Sequence, residues 1–346
     1  KPAGLAKKFK TTAGTAFQNR GTMQPPLSTL STPRPSSTQP LLAQARPSHT
    51  ALLCGIARAR HQVLDGGEIF QDPLAFDILG PAQAAQVRAA LAANAPKHRS
   101  KDAGSFSQAM RGALVVRSRI AEDTLREAVA GGATQYVLLG AGLDTFALRN
   151  QWPRGLQRVF EVDHPATQAW KRDLASQAGL AMPPGAAHVP VDFERQDFLE
   201  QLAAHGFDAA EPTVFAWLGV TMYLPLAAVE ATLARIGARA APGSVLVFDY
   251  VRTPAPAQWG RKLGLALMGR RFRRMGEPWR CTLRDAELHA MLAAHGFEPA
   301  EIITPDRIRD TLLAHRPATL WQRALGGLLG GIVRVRVAAR GGKSPA

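Results

Sequence analysis

Residues 136–149 read YVLLGAGLDTFALR: an apolar run, a Gly-Ala-Gly break, an acid, then a helix-like segment. Four β-branched or large apolar residues before Gly140 read as a buried strand. Gly140 and Gly142, without Cβ atoms, allow a sharp turn and a close approach of the backbone to a ligand. Two glycines of a dinucleotide fingerprint are present, but position 145 is Thr and position 144 is Asp. The third glycine lets a helix N-terminus approach a pyrophosphate. A carboxylate beside that pyrophosphate would repel it. The turn therefore suits a ligand with a cationic centre and no phosphate better than NAD.

Further strand signals alternate with helices of ten or more residues. QRVFEVD precedes HPATQAWKRDLASQAG, AAHVPVDF precedes ERQDFLEQLAAHG, PTVFAWLGV precedes PLAAVEATLARIGARA, and GSVLVFDYV ends the series. Such alternation predicts an α/β fold, a doubly wound and mostly parallel sheet with crossover helices. A last run, GIVRVRVAAR, sets Val333, Val335 and Val337 against Arg334 and Arg336, the one-sided pattern of an antiparallel edge strand.

In an open α/β sheet a ligand sits beyond the carboxyl ends of the strands, and an acid about 20 residues after the glycine turn accepts ribose hydroxyls. VFEVDHP supplies Glu161 and Asp163, which share a face of their strand. Asp163 ends the strand and is the expected ribose ligand, whereas Glu161 is expected to satisfy backbone or side-chain donors. Asp192 and Phe193, after the next strand, could grip an adenine edge and cover its face. Ribose, adenine and a cationic tail without phosphate describe S-adenosylmethionine.

The rest of the chain bounds this reading. Its 346 residues, 46% of them apolar, can bury one large core or two modest ones. Cys54 and Cys281 lie too far apart in sequence for a C-x-x-C zinc cluster or a disulfide framework, and they suit a reducing cytoplasm. No apolar run approaches the ~18–20 residues of a membrane span. The net charge of +15 is concentrated in residues 1–50, 261–280 and 311–346, which leaves the remainder mildly acidic. No recognition motif accompanies the charge, which argues against a nucleic-acid groove. Residues 1–48 have the composition of a disordered basic tail. Their hydroxyl-rich, acid-free character is also that of a transit peptide, and Met23 offers an alternative start. Residues 49–346 are expected to form the functional domain. Within it, 49–131 make an N-terminal helical cap, including one helix opened by Pro73, and 252–280 make a basic insert that forms a lid.

QYVLLGAGLDTFALR, VFEVDHPATQAWK, VPVDFE, PTVFAWLGVTMYLP and GEPW, in this order and spacing, resemble the leucine carboxyl methyltransferase superfamily. They are most similar to its bacterial branch of S-adenosylmethionine-dependent methyltransferases. The resemblance runs from about Arg58 to Arg340 and implies a Rossmann-like class I methyltransferase fold. It implies that the Gly140–Gly142 turn faces the methionine moiety, that Asp163 binds the ribose, and that Asp192 and Phe193 bind the adenine. It also implies that an arginine on the helix before the first strand binds the cofactor carboxylate, Arg117 in preference to Arg119. The resemblance also implies that many relatives carry an acid where this chain has Leu218. Asp144 is the expected substitute if that acid meets the cofactor's amino group.

No G-x-S-x-G or H-E-x-x-H occurs, and GGKS at 341–344 lacks the first glycine of a P-loop. His164 reads as a turn residue, and Tyr223 as either packing or a wall of the acceptor pocket. No catalytic base or metal site is identified, which favours a carboxylate or acidic phenol as the small-molecule methyl acceptor. The competing expectations are a cofactor-binding pseudoenzyme or regulatory protein of the same fold, supported by Leu218, and a nicotinamide oxidoreductase, opposed by Thr145.

Overall fold

A computed structural model describes residues 48–93, 106–149, 151–312 and 330–340. Residues 1–47 of the expected tail, and the GGKS segment, lie outside the described residues. Ser48 belongs to the fold, because its side chain caps the first helix by accepting from the Ala51 amide at 3.1 Å.

The elements follow in chain order. The helices α1 (His49–Leu64), α2 (Pro81–Ala93) and α3 (Phe106–Ala130) precede β1 (Gln135–Leu139) and the short α4 (Phe146–Arg149). Then come β2 (Arg158–Asp163), α5 (Pro165–Gln177), β3 (Ala186–Pro190), α6 (Phe198–Ala204), β4 (Thr213–Trp217), α7 (Leu226–Arg239) and β5 (Val245–Tyr250). The chain continues through α8 (Trp259–Arg274), α9 (Asp285–Ala294), β6 (Glu301–Ile303), α10 (Pro305–Leu312) and β7 (Gly331–Arg336).

The described strands form one seven-stranded sheet in the order β3-β2-β1-β4-β5-β7-β6. β1 to β5 are mutually parallel, and β7 runs antiparallel to both β5 and β6. The antiparallel pairing lies at that edge of the sheet, as the Val/Arg alternation predicts, and Val333, Val335 and Val337 are buried. β7 itself is second from the rim, because the three-residue β6 pairs outside it. Glu301 of β6 bonds Arg334 across that pair, which gives the polar side of β7 a partner instead of solvent.

The central strands are buried on both faces, as crossover helices require. Val137 and Leu139 point into a cluster with Phe160, Trp217 and Phe248, closed by α6, α7 and α9. Tyr136 and Leu138 point the other way, against Ala121, Leu125 and Val129 of α3. α1, α2 and α5 meet around Ala59, Val87 and Leu174. The helix expected from Pro73 is corrected: residues 73–79 form turns and a 3-10 segment, and α2 begins at Pro81. Gly80, with φ +75°, stops the preceding turn, and a Cβ there would lie 2.7 Å from Leu174 Cδ2. Pro81 then starts a helix where its missing N–H costs nothing.

Candidate functional site

The strand order reverses between β1 and β4, which opens a crevice beyond their carboxyl ends. β1 delivers Gly140 to one side of it and β4 delivers Leu218 and Gly219 to the other. The pocket that fills the crevice is lined by every residue singled out for cofactor binding: Arg117, Gly140, Gly142, Asp144, Asp163, Asp192 and Phe193.

Gly140 has φ +74°, and a Cβ added there would lie 2.3 Å from Val220 Cγ2. Both facts demand glycine. Gly140→Ala is therefore expected to lower the unfolding free energy by about 2–3 kcal/mol in urea titrations. Gly179 has a similar φ of +68°, but a Cβ there would meet only open space. Gly179→Ala should lose only the backbone strain, about 1 kcal/mol, so the difference isolates the close approach at the turn. Equal losses would show that Val220 moves aside freely.

Asp163 is turned into the crevice. Its Oδ2 accepts from the Gly142 amide and its Oδ1 from the His164 amide, each at 2.6 Å. Burial raises its pKa, and the two amides, Lys171 and His164 act against that rise. The helix α5 is capped not by Asp163 but by His164, whose Nδ1 accepts from the Ala166 amide at 3.2 Å. Glu161, one step inside the strand, is fully buried and bonded to Lys171 Nζ at 2.7 Å, the satisfied-donor role expected of it.

Thr145 shows why the third glycine is absent. Its hydroxyl donates to Asp72 Oδ1 at 2.7 Å, and Asp72 also holds Arg58 Nε at 2.9 Å. The position is occupied by a buried link to the N-terminal helices. Asp144 Oδ1 accepts from the Phe146 amide at 2.7 Å and so caps α4. Burial opposes its charge, yet Arg58, Lys171 and Arg149 hold its pKa below the ordinary value.

Arg117, on α3, lies in a slot built from three directions. Its Nη1 bonds Asp249 Oδ2 at 2.9 Å, and its Nη2 approaches Cys54 Sγ at 3.3 Å. A Cβ on Gly219 would sit 2.6, 2.7 and 2.9 Å from the guanidinium atoms, so glycine is what lets the group lie flat there. Asp249 Oδ1 in turn accepts from the Gly219 amide at 2.5 Å. Burial disfavours the arginine's charge, and Asp249, Cys54 and Tyr223 together act against that penalty and leave its pKa raised. Arg119 instead pairs with Asp123 at 2.7 Å and reaches the Ile69 carbonyl.

At the far end, Asp192 Oδ1 accepts from the Glu194 amide at 3.0 Å, and the Phe193 ring lies 6.1 Å from Phe198. Tyr223 and Thr50 wall the pocket together with Glu277 and Arg280. Glu277 accepts from Ser48 Oγ and from the Thr50 amide, each at 2.9 Å, and from the Thr50 hydroxyl. It thereby fastens the start of α1 to the segment after α8. Burial pushes the Tyr223 hydroxyl well above its ordinary pKa, so it stays protonated.

Sequence reasoning missed Asp249, Cys54 and Glu277. One signal pointed to Asp249: an acid inside the otherwise apolar strand VLVFDY must have a partner.

The set fits a nucleoside bearing an amino acid tail. It offers a carboxylate for a diol in Asp163, a fixed cation for a carboxylate in Arg117, a glycine cradle and an aromatic face. The family model of leucine carboxyl methyltransferase matches residues 51–237, more than half of the chain. The chain is 28% identical over 293 residues to YktD of Bacillus subtilis, provisionally named an S-adenosyl-L-methionine-dependent methyltransferase; the match covers 79% of this chain and 93% of that one. A similarly named protein, SCO7813 of Streptomyces coelicolor, is 38% identical over 196 residues, 56% of this chain and 66% of that one. Among solved structures, a Thermobifida fusca protein provisionally called a methyltransferase shares the fold, with a TM-score of 0.50 and 20% identity over 87% of this chain and 98% of that one.

Proposed function

This chain belongs to the leucine carboxyl methyltransferase family and is an S-adenosyl-L-methionine-dependent methyltransferase, and we propose that it methylates an oxygen atom, a carboxylate or hydroxyl, of a small molecule. The observation that carries the proposal is that Arg117 and Asp163 line one pocket together with the Gly140 turn. When bound, the cofactor supplies a sulfonium-activated methyl group. Arg117 holds its carboxylate, Asp163 accepts from the ribose hydroxyls, and Asp192 with Phe193 takes the adenine. The N-terminal helices and the 252–280 insert form a lid that excludes water and holds the acceptor near the methyl carbon, which lowers the barrier by orientation.

The wall residues favour a carboxylate acceptor, which needs no base. Tyr223 keeps its proton and so cannot act as the base. Glu277 is engaged by Ser48 and Thr50. His164 uses Nδ1 as an acceptor for the Ala166 amide, which puts the proton of its neutral ring on Nε2. The test is isothermal titration with S-adenosyl-L-homocysteine and with NAD, followed by transfer of labelled methyl to carboxylic acids and phenols. Expected are homocysteine-nucleoside binding, no NAD binding, and a product whose label alkali releases as methanol. An alkali-stable label would make the product an ether, and binding without transfer would favour the pseudoenzyme reading suggested by Leu218.

Leu218 is half-buried against the core on the β1–α3 side. Asp144 Oδ1 is engaged by the Phe146 amide, and Leu218 itself supplies no acid for the cofactor's ammonium. Leu218→Glu is expected to tighten S-adenosyl-L-methionine by ~1–3 kcal/mol through one charge-assisted bond. Titrating Leu218→Glu, Asp144→Ala and the double variant gives their coupling. A loss of affinity in Leu218→Glu would mean that Asp144 already fills the role.

A further inference from the structure

α8 has two apolar faces, and among the described residues only one is covered. Met268 is buried, and Phe272 packs edge-on to Tyr223 at 6.2 Å and stacks on Trp279 at 5.1 Å. Those contacts anchor the helix to Tyr223, which lines the pocket. On the other side Trp259, Leu263 and Leu267, one helical stripe at four-residue spacing, are 77%, 56% and 56% exposed. They are the large apolar side chains most exposed among the described residues.

The same helix, WGRKLGLALMGRRFRR, carries six Lys/Arg and no acid. Arg270 and Arg274 continue the apolar stripe along the helix, while Lys262 and Arg273 flank it on one side and Arg271 on the other. All five are exposed. A basic helix whose uncovered face carries Trp and Leu matches an interfacial membrane helix. A second copy of the chain would bring like charges together. Nucleic acid would leave three large apolar groups against a polar, charged partner.

We infer that the outer face of α8 docks on an anionic lipid bilayer, with Trp259, Leu263 and Leu267 entering the interfacial zone and the surrounding cations lying over acidic headgroups. The helix does not cross the bilayer: no described helix is long and apolar enough to do so. This surface is distinct from the pocket and does not depend on the identity of the acceptor. Phe272 and Tyr223 tie this helix to the pocket wall.

The test uses the full chain and vesicles of phosphatidylcholine with and without roughly a third phosphatidylglycerol, read by co-sedimentation. The protein should bind the anionic vesicles, release as salt rises from about 0.1 M to 1 M, and bind neutral vesicles poorly. Brominated acyl chains should quench a tryptophan emission that disappears in Trp259→Phe. The triple variant Trp259→Ser/Leu263→Ser/Leu267→Ser should lose binding at least about tenfold, as should Arg270→Gln/Arg271→Gln/Arg273→Gln/Arg274→Gln, with melting temperature retained. Equal binding to neutral vesicles, or binding unaltered in both variants, overturns the inference. So does a concentration-dependent dimer of the wild type that the triple variant abolishes, or tighter binding to duplex DNA or an acidic protein that displaces the vesicles.

Discussion

Arg117→Met should lower the unfolding free energy by about 3–5 kcal/mol, because it leaves the Asp249 carboxylate buried without its partner. The side chains of the pair are 13% and 10% exposed, and Asp249 keeps only the Gly219 amide when the guanidinium is gone. Replacing both groups, as Arg117→Met/Asp249→Leu, should restore most of that stability, since a buried pair is often no better than apolar residues of similar volume. Cofactor binding should not return with it. The double variant is expected to bind S-adenosyl-L-homocysteine at least about tenfold more weakly, the scale of one lost charge-assisted contact. It should bind methylthioadenosine, which lacks the amino acid tail, as the wild type does. Denaturant titration and calorimetry on the same samples separate the two effects. If methylthioadenosine loses affinity equally, Arg117 acts only through folding and the carboxylate assignment falls.

Asp163→Asn should weaken S-adenosyl-L-homocysteine by ~1.5–3 kcal/mol, the worth of hydrogen bonds to a charged group. The pH dependence of the wild type gives an independent check. Burial raises the pKa of Asp163 above the ordinary value of 3.8. The native state therefore holds this proton more tightly than the unfolded chain does. Its contribution to stability is fully present in acid and is lost as pH rises through the raised value. Binding runs the other way, because ribose hydroxyls need the ionised carboxylate. Affinity should fall on acidification at a pH above the usual carboxylate range, and that step should vanish in Asp163→Asn. An unchanged step in the variant would assign the titration to another group and move the ribose site.

Much of the candidate site was readable without coordinates because it is built from local rules. Strand runs separated by helices force a parallel sheet, a glycine break after the first strand marks the switch point, and an acid at the next strand end faces it. Gly140, Gly142, Asp163, Asp192 and Phe193 all come together in the crevice on that logic. Choosing between Arg117 and Arg119 needed more. Two residues apart on a helix, they point to opposite sides, and only the rotation of α3 against the sheet selects one.

What the tertiary structure alone decided is distant in sequence. Arg117 meets Asp249 across 132 residues, Thr145 meets Asp72 across 73, and Glu277 meets Ser48 across 229. β6 takes the rim outside β7, a choice between two short antiparallel pairings that no periodicity encodes. The amino-acid pattern determined which segments are strands, where the backbone must be glycine, and which acids stand at strand ends, because each follows from neighbours within a turn or two. The partners of buried charges depend on where remote elements pack, since a charge removed from water must be matched by whatever group the fold brings within a few ångströms.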